Sequence, residues 1–320
     1  MFCILLEEND PYFCLAAEEY LLKNYREDIF MLWQSHDAVV IGKHQNALAE
    51  INYRYARENG ISIARRISGG GTVFHDKGNV NFSYIKNVAG PLEISFSRFT
   101  EPITGALKKL GIRAETSGRN DLLVNGKKIS GNAEHIFKNR VLHHGTLLFN
   151  SDLIHLADAI RVTPGKYAGK AVESNRSRVA NLSGFLPSPI DLHTFIRFLI
   201  EYQLQNSAEN SPYLISDGDK EKIRELAREK FETPDWQFGY SPAYSFTHST
   251  KIGGKLLDLK LEVRNGKILS ARIGGDYYPP EKASRLENLL LDKPHLYEPV
   301  ESAHAIMGLS TAKDLIYSYF

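Results

Sequence analysis

Three consecutive glycines at residues 69–71 are the part of the sequence best suited to binding chemistry. They follow Arg65 and Arg66, and His75 comes shortly after them. Glycine has no side chain to pack and loses much conformational freedom on folding, so a triple glycine favours backbone that approaches another group closely. Consecutive N–H groups can bind an anion, and a guanidinium matches the geometry of a carboxylate or a phosphate. The residues indicate either an anion-binding loop or a plain turn between two apolar segments.

A second group of such residues surrounds Asn125-Gly126, which is a strong signal for a β-hairpin. Asp121 begins the first strand, and Lys127 and Lys128 begin the second. Because side chains alternate along a strand, the two lysines point to opposite faces, and Lys128 shares its face with Ser130. Either both lysines are solvated at the end of the hairpin, or one of them points into a pocket as a cation. Asp121 either caps the turn or binds Mg²⁺.

Two adjacent histidines, His143 and His144, lie in a predicted strand. Strand alternation predicts that one imidazole is buried and the other is exposed. A metal site built on histidines needs a third ligand, and no spacing in the sequence supplies one. The histidine pair therefore gives no reason to expect a metal centre.

The elements that must position these residues form a mixed α/β domain with many antiparallel neighbours. Asp10-Pro11 predicts the start of a helix, since aspartate caps helices and proline suits the first helical position. Hydrophobic periodicity predicts further helices at residues 53–58, 99–110, 153–160, 192–204 and 220–231. It predicts strands at residues 29–34, 38–41, 61–66, 79–85, 122–124, 128–130 and 141–149.

The pattern of apolar and polar residues changes near residue 241. Apolar and charged residues alternate over 257–263, which predicts a strand with one wet face, and Asn265-Gly266 turns the chain into a second strand. Pro279-Pro280 ends this hairpin, and helices are predicted at residues 282–291 and 310–319. We therefore expect two domains, residues 1–240 and a small α+β domain of residues 241–320.

Composition narrows the classes of function. The 320 residues include 39 Lys and Arg against 38 Asp and Glu, so no global basic field points to nucleic acid or to an anionic membrane surface. The N-terminal segment lacks the pattern of a signal peptide, and no apolar run is long enough for a membrane span. We expect a cytoplasmic protein without nucleic-acid or membrane partners. Its two cysteines, Cys3 and Cys14, lie outside every motif described above.

Several segments in one order resemble the lipoate–protein ligase A family. They are RRISGGGTVFHDKGNVNFS, GRNDLLVNGKKISGNA, HHGTLLFNSDL, AAEEYLL, IGKHQN, RSRVANL and WQFGYSPAYSF, which lie between residues 16 and 246. The last of them resembles the segment that leads into the family's accessory domain, so the resemblance covers in effect the whole chain. The resemblance implies the α+β fold of the biotin/lipoate ligase catalytic domain, with mixed, largely antiparallel sheets and flanking helices. It also implies a small accessory domain of α+β structure at the C-terminal end.

The same resemblance implies a two-step, AMP-forming ligase that uses ATP, Mg²⁺ and lipoate. Lipoate would first become lipoyl-AMP with release of pyrophosphate. The lipoyl group would then pass to a lysine of an acceptor lipoyl domain. The acceptors implied are the E2 subunits of 2-oxoacid dehydrogenases and the H protein of the glycine cleavage system.

The resemblance also implies roles for individual residues. Lys128 would be catalytic and touch both lipoate and ATP, Asp121 would help to hold Mg²⁺, and a loop with Arg176, Arg178 and Asn181 would close over the adenylate. The remaining residues implied to bind ATP or lipoate are Arg66, Ser68, Gly69, Gly70, Gly71, Thr72, Val73, Phe74 and His75. The alternative for Val73 and Phe74 is that they pack in the hydrophobic core and do not contact a ligand.

Other activities in the same superfamily stay open as alternatives. A lipoyltransferase that uses preformed lipoyl-AMP is the nearest, and a cysteine-independent octanoyl or lipoyl acyltransferase is another. A cysteine-dependent acyltransferase is disfavoured, because neither Cys3 nor Cys14 lies near a pocket motif. A biotin ligase matches the motifs less well, and the intact Arg66, Asp121 and Lys128 argue against a non-catalytic binder of carrier domains.

Overall fold

The computed structural model describes residues 1–90, 95–118, 120–175 and 177–320. An eight-stranded sheet forms its centre, with three parallel strands at one edge and antiparallel pairing in the rest. In spatial order the strands are β12 (Ser211–Pro212), β1 (Phe2–Leu5), β2 (Ile29–Trp33), β6 (Asn79–Asn87), β10 (Arg140–Leu148), β9 (Lys127–Phe137), β8 (Asp121–Val124) and β7 (Glu115–Ser117).

A three-stranded sheet positions the glycine run. Its central strand β3 (Ala38–Ile41) pairs in parallel with β4 (Ser62–Arg65) and antiparallel with β5 (Val73–His75). The glycines lie in the connection between β4 and β5, so both ends of that connection are held by the same central strand. We call residues 69–71 the glycine turn.

The C-terminal sheet has four antiparallel strands in the order β11 (Tyr167–Gly169), β13 (Tyr244–Ile252), β14 (Lys255–Arg264) and β15 (Lys267–Gly275). The predicted turn between β14 and β15 is present, with φ of 51° at Asn265 and 70° at Gly266. The edge strand β11 comes from a much earlier part of the chain. This sheet therefore contacts the segment that follows the main sheet, and the boundary at residue 240 stays a prediction.

Helices cover the sheets, and three hydrophobic clusters lie between the layers. The predicted capping of the first helix is present, because Asp10 accepts a hydrogen bond from the Phe13 N–H. The helices are α1 (Pro11–Asn24), α2 (Ala47–Glu50), α3 (Tyr53–Glu58), α4 (Phe96–Lys109), α5 (Leu153–Ala159), α6 (Leu192–Gln205), α7 (Asp217–Leu226), α8 (Pro280–Leu290), α9 (Tyr297–Ile306) and α10 (Lys313–Tyr317).

The expected fold class is confirmed, since largely antiparallel sheets with flanking helices make up both parts of the chain. The helical predictions differ from the structure at three places. The predicted helix at 220–231 is α7 followed by a π-helical turn, Ala227–Phe231, and helices α2 and α9 were not predicted at all. Among the described residues, no helix has both the length and the apolar character needed to cross a bilayer.

Candidate active site

The glycine turn is shaped by close backbone contact and by one left-handed residue. Gly70 has a φ of +85°, and a Cβ on Gly42 would lie 2.0 Å from the Gly70 carbonyl oxygen. The turn therefore needs glycine both at Gly70 and at the facing position in the loop after β3. No hydrogen bond among the described residues uses the N–H of Gly70 or Gly71, and both residues line a cavity. These N–H groups are free to bind an anion.

Arg66 holds the turn from behind. Its guanidinium donates to the carbonyl oxygens of Gly69 at 2.6 Å and Gly71 at 2.7 Å, and to Val40 at 3.1 Å. Burial lowers the pKa of Arg66 to about 10, so the side chain stays positive at neutral pH. The turn is thus backed by a fixed positive charge that also reaches the cavity wall.

Arg65, which the sequence grouped with Arg66, serves a different part of the molecule. Its side chain is fully buried and bonds only to protein oxygens. Those oxygens belong to Gly42, Lys43, Gln45, Trp236, Gln237 and Ser241. Arg65 therefore ties the loop after β3 to the segment before the C-terminal sheet, and it has no hydrogen-bonding group left for a ligand.

A buried hydrogen-bond chain fixes Ser68. The Ser68 hydroxyl accepts from Arg66 Nε at 3.0 Å and lies 2.6 Å from His144 Nε2. His144 Nδ1 lies 2.9 Å from both carboxylate oxygens of Glu18, a residue of α1. Since Glu18 accepts, His144 carries its proton on Nδ1, and its Nε2 can accept the Ser68 hydroxyl proton. The chain supports the conformation of Arg66 and of the turn.

The prediction of one exposed histidine in β10 is wrong, because both His143 and His144 are buried. The strand is central in the sheet, with α1 on one face and α4 on the other. His143 stacks on Phe99 at 4.9 Å between ring centres and contacts Glu134 at 2.9 Å. Burial lowers the pKa of His143.

His75 is buried at the end of β5. Burial and the positive charge of Arg66 lower the pKa of His75 to about 3. The imidazole is therefore neutral at physiological pH, and it can contact a ligand only as a neutral group.

Two cavities meet at Lys128. The inner cavity, of about 220 Å³, is lined by apolar side chains that include Leu15, Trp33 and Val40. The outer cavity, of about 680 Å³, extends from Phe74 towards α5. The residues common to both walls are Thr72, Val73, Lys128, Gly131, Thr146, Glu173, Ser174 and Asn175. A molecule in one cavity can therefore meet a molecule in the other beside the Lys128 side chain.

Lys128 lies in the walls of both cavities, while Lys127 is exposed. The Lys128 ammonium lies 2.8 Å from Asp121 Oδ1, with both side chains about one-fifth exposed, at 20% and 22%. Simple alternation does not fully describe this hairpin, because the register between β8 and β9 shifts at Leu122 and Leu123. Ile129 lies at this shift, between Lys128 and Ser130, and its side chain is fully buried in the core.

The donors around Asp121 fit a magnesium ion that is bound mainly through a phosphate-bearing substrate. No group of three or more His, Cys, Asp or Glu side chains in the described part of the chain could hold a metal ion. Mg²⁺ usually takes only one or two protein carboxylates and completes its shell with phosphate oxygens and water. Asp121 supplies one carboxylate, and the buried Asn132 Oδ1, also in the inner-cavity wall, has no hydrogen-bond partner.

A segment that we call the strap, residues 172–175 and 177–180, covers both cavities. Its strongest anchor is Ser174, whose hydroxyl donates to Glu50 Oε2 at 2.5 Å and accepts from the Thr72 N–H at 2.8 Å. Gln45 Nε2 also donates to this hydroxyl, at 3.0 Å. Further along, the Lys128 N–H donates to the Arg178 carbonyl at 2.8 Å. The strap therefore connects the glycine turn with Lys128.

Most of the residues that the sequence selected lie around these cavities. Those in the cavity walls are Arg66, Gly70, Gly71, Thr72, Val73, Phe74, His75, Asp121 and Lys128. Ser68 and Gly69 lie behind the walls, and the Arg178 side chain is exposed. Arg176 lies outside the described residues. Sequence reasoning assigned no role to Glu18, Gln45, Glu50 or Ser174, although AAEEYLL and IGKHQN had marked the first two.

Comparisons with known proteins agree with this architecture. The lipoyl protein ligase A/B catalytic domain matches residues 10–203, and the bacterial lipoate protein ligase C-terminus matches residues 241–312. Lipoate–protein ligase LplJ of Bacillus subtilis is 41% identical over 306 residues, which are 94% of this chain and 92% of that protein.

Solved structures of lipoate protein ligases are also similar to the chain, among them two at 26% identity. A bipartite lipoate protein ligase of Thermoplasma acidophilum, described with its E2 lipoyl domain, has a TM-score of 0.65 and covers 75% of this chain and 96% of its own. A lipoate–protein ligase A bound with ATP has a TM-score of 0.64 and covers 75% of this chain and 98% of its own. The matches span both parts of the sequence, and the chain belongs to the lipoate–protein ligase family.

Proposed function

We propose that the protein joins lipoate to AMP with ATP as the donor and then transfers the lipoyl group to a lysine of a lipoyl domain. The observation that carries this proposal is the meeting of two unlike cavities at Lys128. The family supports a ligase, and the ATP-bound relative supports the nucleotide.

We assign the acyl chain of lipoate to the inner cavity and ATP to the outer cavity. The inner cavity is the smaller and has Leu15, Trp33 and Val40 in its wall, which suits a narrow apolar chain. The outer cavity is about three times larger, and it sets the polar strap residues Glu173, Ser174 and Asn175 opposite apolar side chains such as Leu153 and Leu156. Its size and mixed wall suit a nucleotide, which has an apolar base and polar phosphates. In this arrangement the lipoate carboxylate and the α-phosphate meet beside Lys128.

Adenylation brings a carboxylate and a triphosphate together, so the site must neutralise negative charge where the new bond forms. The Lys128 ammonium does this as a compact charge. The N–H groups of Gly70 and Gly71 lie in the inner-cavity wall and can donate hydrogen bonds to phosphate oxygens that extend past Lys128 from the outer cavity. Asp121 and the Asn132 amide oxygen would hold Mg²⁺, which would neutralise the departing pyrophosphate. The proton of the carboxylic acid is already lost at neutral pH, so no general base is required.

The acceptor amine then attacks the acyl carbon of the adenylate, and AMP leaves. This step needs no protein nucleophile. Both cysteines are buried, and burial raises the pKa values of the Cys3 and Cys14 thiols, so neither is a ready thiolate. We propose E2 lipoyl domains and the glycine cleavage H protein as acceptors, supported by the relative described with an E2 lipoyl domain.

The remaining site assignments are parts of the same proposal. Thr72, Val73 and Phe74 shape the outer cavity, and His75 closes the inner one as a neutral side chain. Arg178 would reach the adenylate only after a rearrangement of the strap, because its side chain is now exposed. We propose residues 1–240 as the catalytic domain and 241–320 as the accessory domain.

The test is ATP–pyrophosphate exchange in the absence of any acceptor protein. We expect exchange that depends on lipoate and on Mg²⁺. Acceptor lipoylation that proceeds only from supplied lipoyl-AMP, without exchange, would show a lipoyltransferase and contradict the proposed ligase.

A second prediction concerns the strap. Ser174→Ala removes the hydroxyl that joins Glu50, Thr72 and Gln45, including a hydrogen bond to a carboxylate that is worth about 1.5 kcal/mol or more. We expect bound lipoyl-AMP to dissociate about tenfold faster, measured by the release of the radiolabelled adenylate from the isolated complex. Ser188→Ala, which removes an exposed hydroxyl that lines neither cavity, is the control. Equal release from both variants would show that Ser174 does not hold the strap closed.

A further inference from the structure

Four lysines and three aromatic side chains form a continuous surface beside the glycine turn. We call it the basic face, and its members are Lys23, Lys43, Lys138, Lys230, Phe137, Trp236 and Tyr240. It combines residues of α1, the loop after β3, the β9–β10 turn and the segment before the C-terminal sheet. The whole chain is nearly neutral, so this clustering is a local feature.

Each lysine of the basic face lies against an aromatic ring. Lys230 Nζ is 4.1 Å from the centre of the Trp236 ring, and Trp236 packs on Tyr240 at 4.7 Å. Lys43 lies 5.9 Å from the centre of the Tyr240 ring, which is 43% exposed. These contacts restrain long side chains that would otherwise lose entropy on binding a partner.

Lys23 and Lys138 continue the surface on the other side, at 5.6 Å and 5.3 Å from the centre of the Phe137 ring. Lys23 and Lys230 are also joined by the Glu19 carboxylate, at 2.5 Å and 2.6 Å. Glu19 is the one carboxylate that the ion pairs of the described residues place against these lysines, and its side chain is only 4% exposed. The face therefore presents positive charge to the solvent.

The basic face adjoins the inner cavity. Lys43 follows Gly42, and its N–H donates to the Ser68 carbonyl at 2.8 Å. On the other side, Gly70 lies next to Ala133, since a Cβ on Gly70 would be 3.7 Å from the Ala133 Cβ. His135 is on the same face of β9 two residues further on. Burial lowers the pKa of His135 most, and the positive charges of Lys43, Lys23 and Lys230 lower it further.

The spacing of residues along β9 gives the distance between Lys128 and the basic face. Lys128 lies over Gly131, where its Nζ would be 3.1 Å from an added Cβ. His135 is four residues beyond Gly131, which is about 13 Å along a strand. A standard protein interface of about 800 Å² per partner is about 30 Å across. A domain that delivers a lysine to this site therefore overlaps the basic face.

We propose that the basic face is the docking surface for the acceptor domain and that it recognises an acidic surface on that domain around the target lysine. This inference rests on the proposed function for the identity of the acceptor. A folded domain suits the surface better than a small anion does, because the four lysines spread over separate elements and line none of the cavities described above. Aromatic side chains are enriched at protein interfaces, and complementary charge around them steers the partner into place.

The test reverses charge at two positions that make no ion pair among the described residues, in the double variant Lys43→Glu with Lys138→Glu. Transfer to an E2 lipoyl domain is measured from supplied lipoyl-AMP, so the result does not depend on adenylation. We expect kcat/KM for the acceptor to fall at least about tenfold at low ionic strength, and its dependence on salt to weaken. Lipoate-dependent ATP–pyrophosphate exchange should stay within about twofold of the unmodified protein.

The matched control is Lys251→Glu with Lys255→Glu, two exposed lysines on the C-terminal sheet. Transfer by this control should stay close to that of the unmodified protein. Exchanging an acidic residue beside the acceptor lysine for lysine should restore transfer by the basic-face variant and should not improve transfer by the control. An equal loss in both variants would overturn the proposal, as would a parallel loss of exchange or unchanged transfer. Unchanged transfer with lost binding to duplex DNA would assign the face to nucleic acid instead.

Discussion

Lys128→Ala is expected to reduce lipoate-dependent ATP–pyrophosphate exchange by about a hundredfold or more. Among the described residues, Lys128 is the one cation shared by the two cavity walls, and we propose that the carboxylate and the α-phosphate meet beside its ammonium. Removing a preorganised group that stabilises charge in a transition state costs on the order of 3–4 kcal/mol. The variant also leaves Asp121 without its ion-pair partner at 2.8 Å, which adds repulsion towards the anionic substrates.

Lys127→Ala is the matched control, because it removes the same charge from the neighbouring, exposed position. Substitutions at exposed sites usually change stability by no more than about 0.5 kcal/mol, so exchange by this variant should be nearly normal. Unfolding midpoints of both variants show whether the hairpin is intact. Equal rates of exchange in the two variants would refute the assignment of Lys128 as the catalytic residue.

The hairpin that carries Lys128 shows how far local rules predict this structure. Asn125-Gly126 predicts a turn with left-handed residues, and the observed φ values are 50° and 72°. Alternation correctly separates Lys127 from Lys128, but it does not predict the register shift that buries Ile129. The shift depends on the partner strand and on the core beneath it, which are properties of the tertiary structure.

Contacts between distant residues limited the prediction of the site. Glu18 reaches His144 across 126 positions, and Ser174 reaches Glu50 across 124. Single residues of these types have no local pattern that marks such a contact. Helix α9 was missed for a related reason. Its weak amphipathic pattern is stabilised by packing against the C-terminal sheet and α8.

Arg65 and Arg66 are neighbours in the sequence but have different roles in the tertiary structure. The sequence presents them as one basic pair, and burial lowers the pKa of each to about 10. Only Arg66 reaches the cavity, because β4 ends between them and sends the two side chains in different directions. We therefore expect the two arginines to give different kinds of defect when they are replaced.

Arg65→Met is expected to lower the free energy of unfolding by about 3 kcal/mol or more, measured by urea denaturation. The substitution keeps an extended apolar side chain but leaves the carbonyl groups of the loop after β3 and of the segment near Gln237 without their donor. Each buried polar group left unpaired costs about 1–3 kcal/mol, partly offset because no charge remains to be buried. Exchange activity should fall as well, since the same loop carries Gly42 against the glycine turn.

Arg54→Ala provides the comparison, because Arg54 makes two ion pairs but its side chain is 47% exposed. Surface ion pairs contribute at most about 1 kcal/mol, so this variant should unfold almost as the unmodified protein does. A stability loss for Arg65→Met no larger than that for Arg54→Ala would mean that water replaces the guanidinium at these carbonyls. If Arg65→Met instead unfolds normally but has lost ATP–pyrophosphate exchange, Arg65 binds a ligand, as its position beside Arg66 in the sequence suggests.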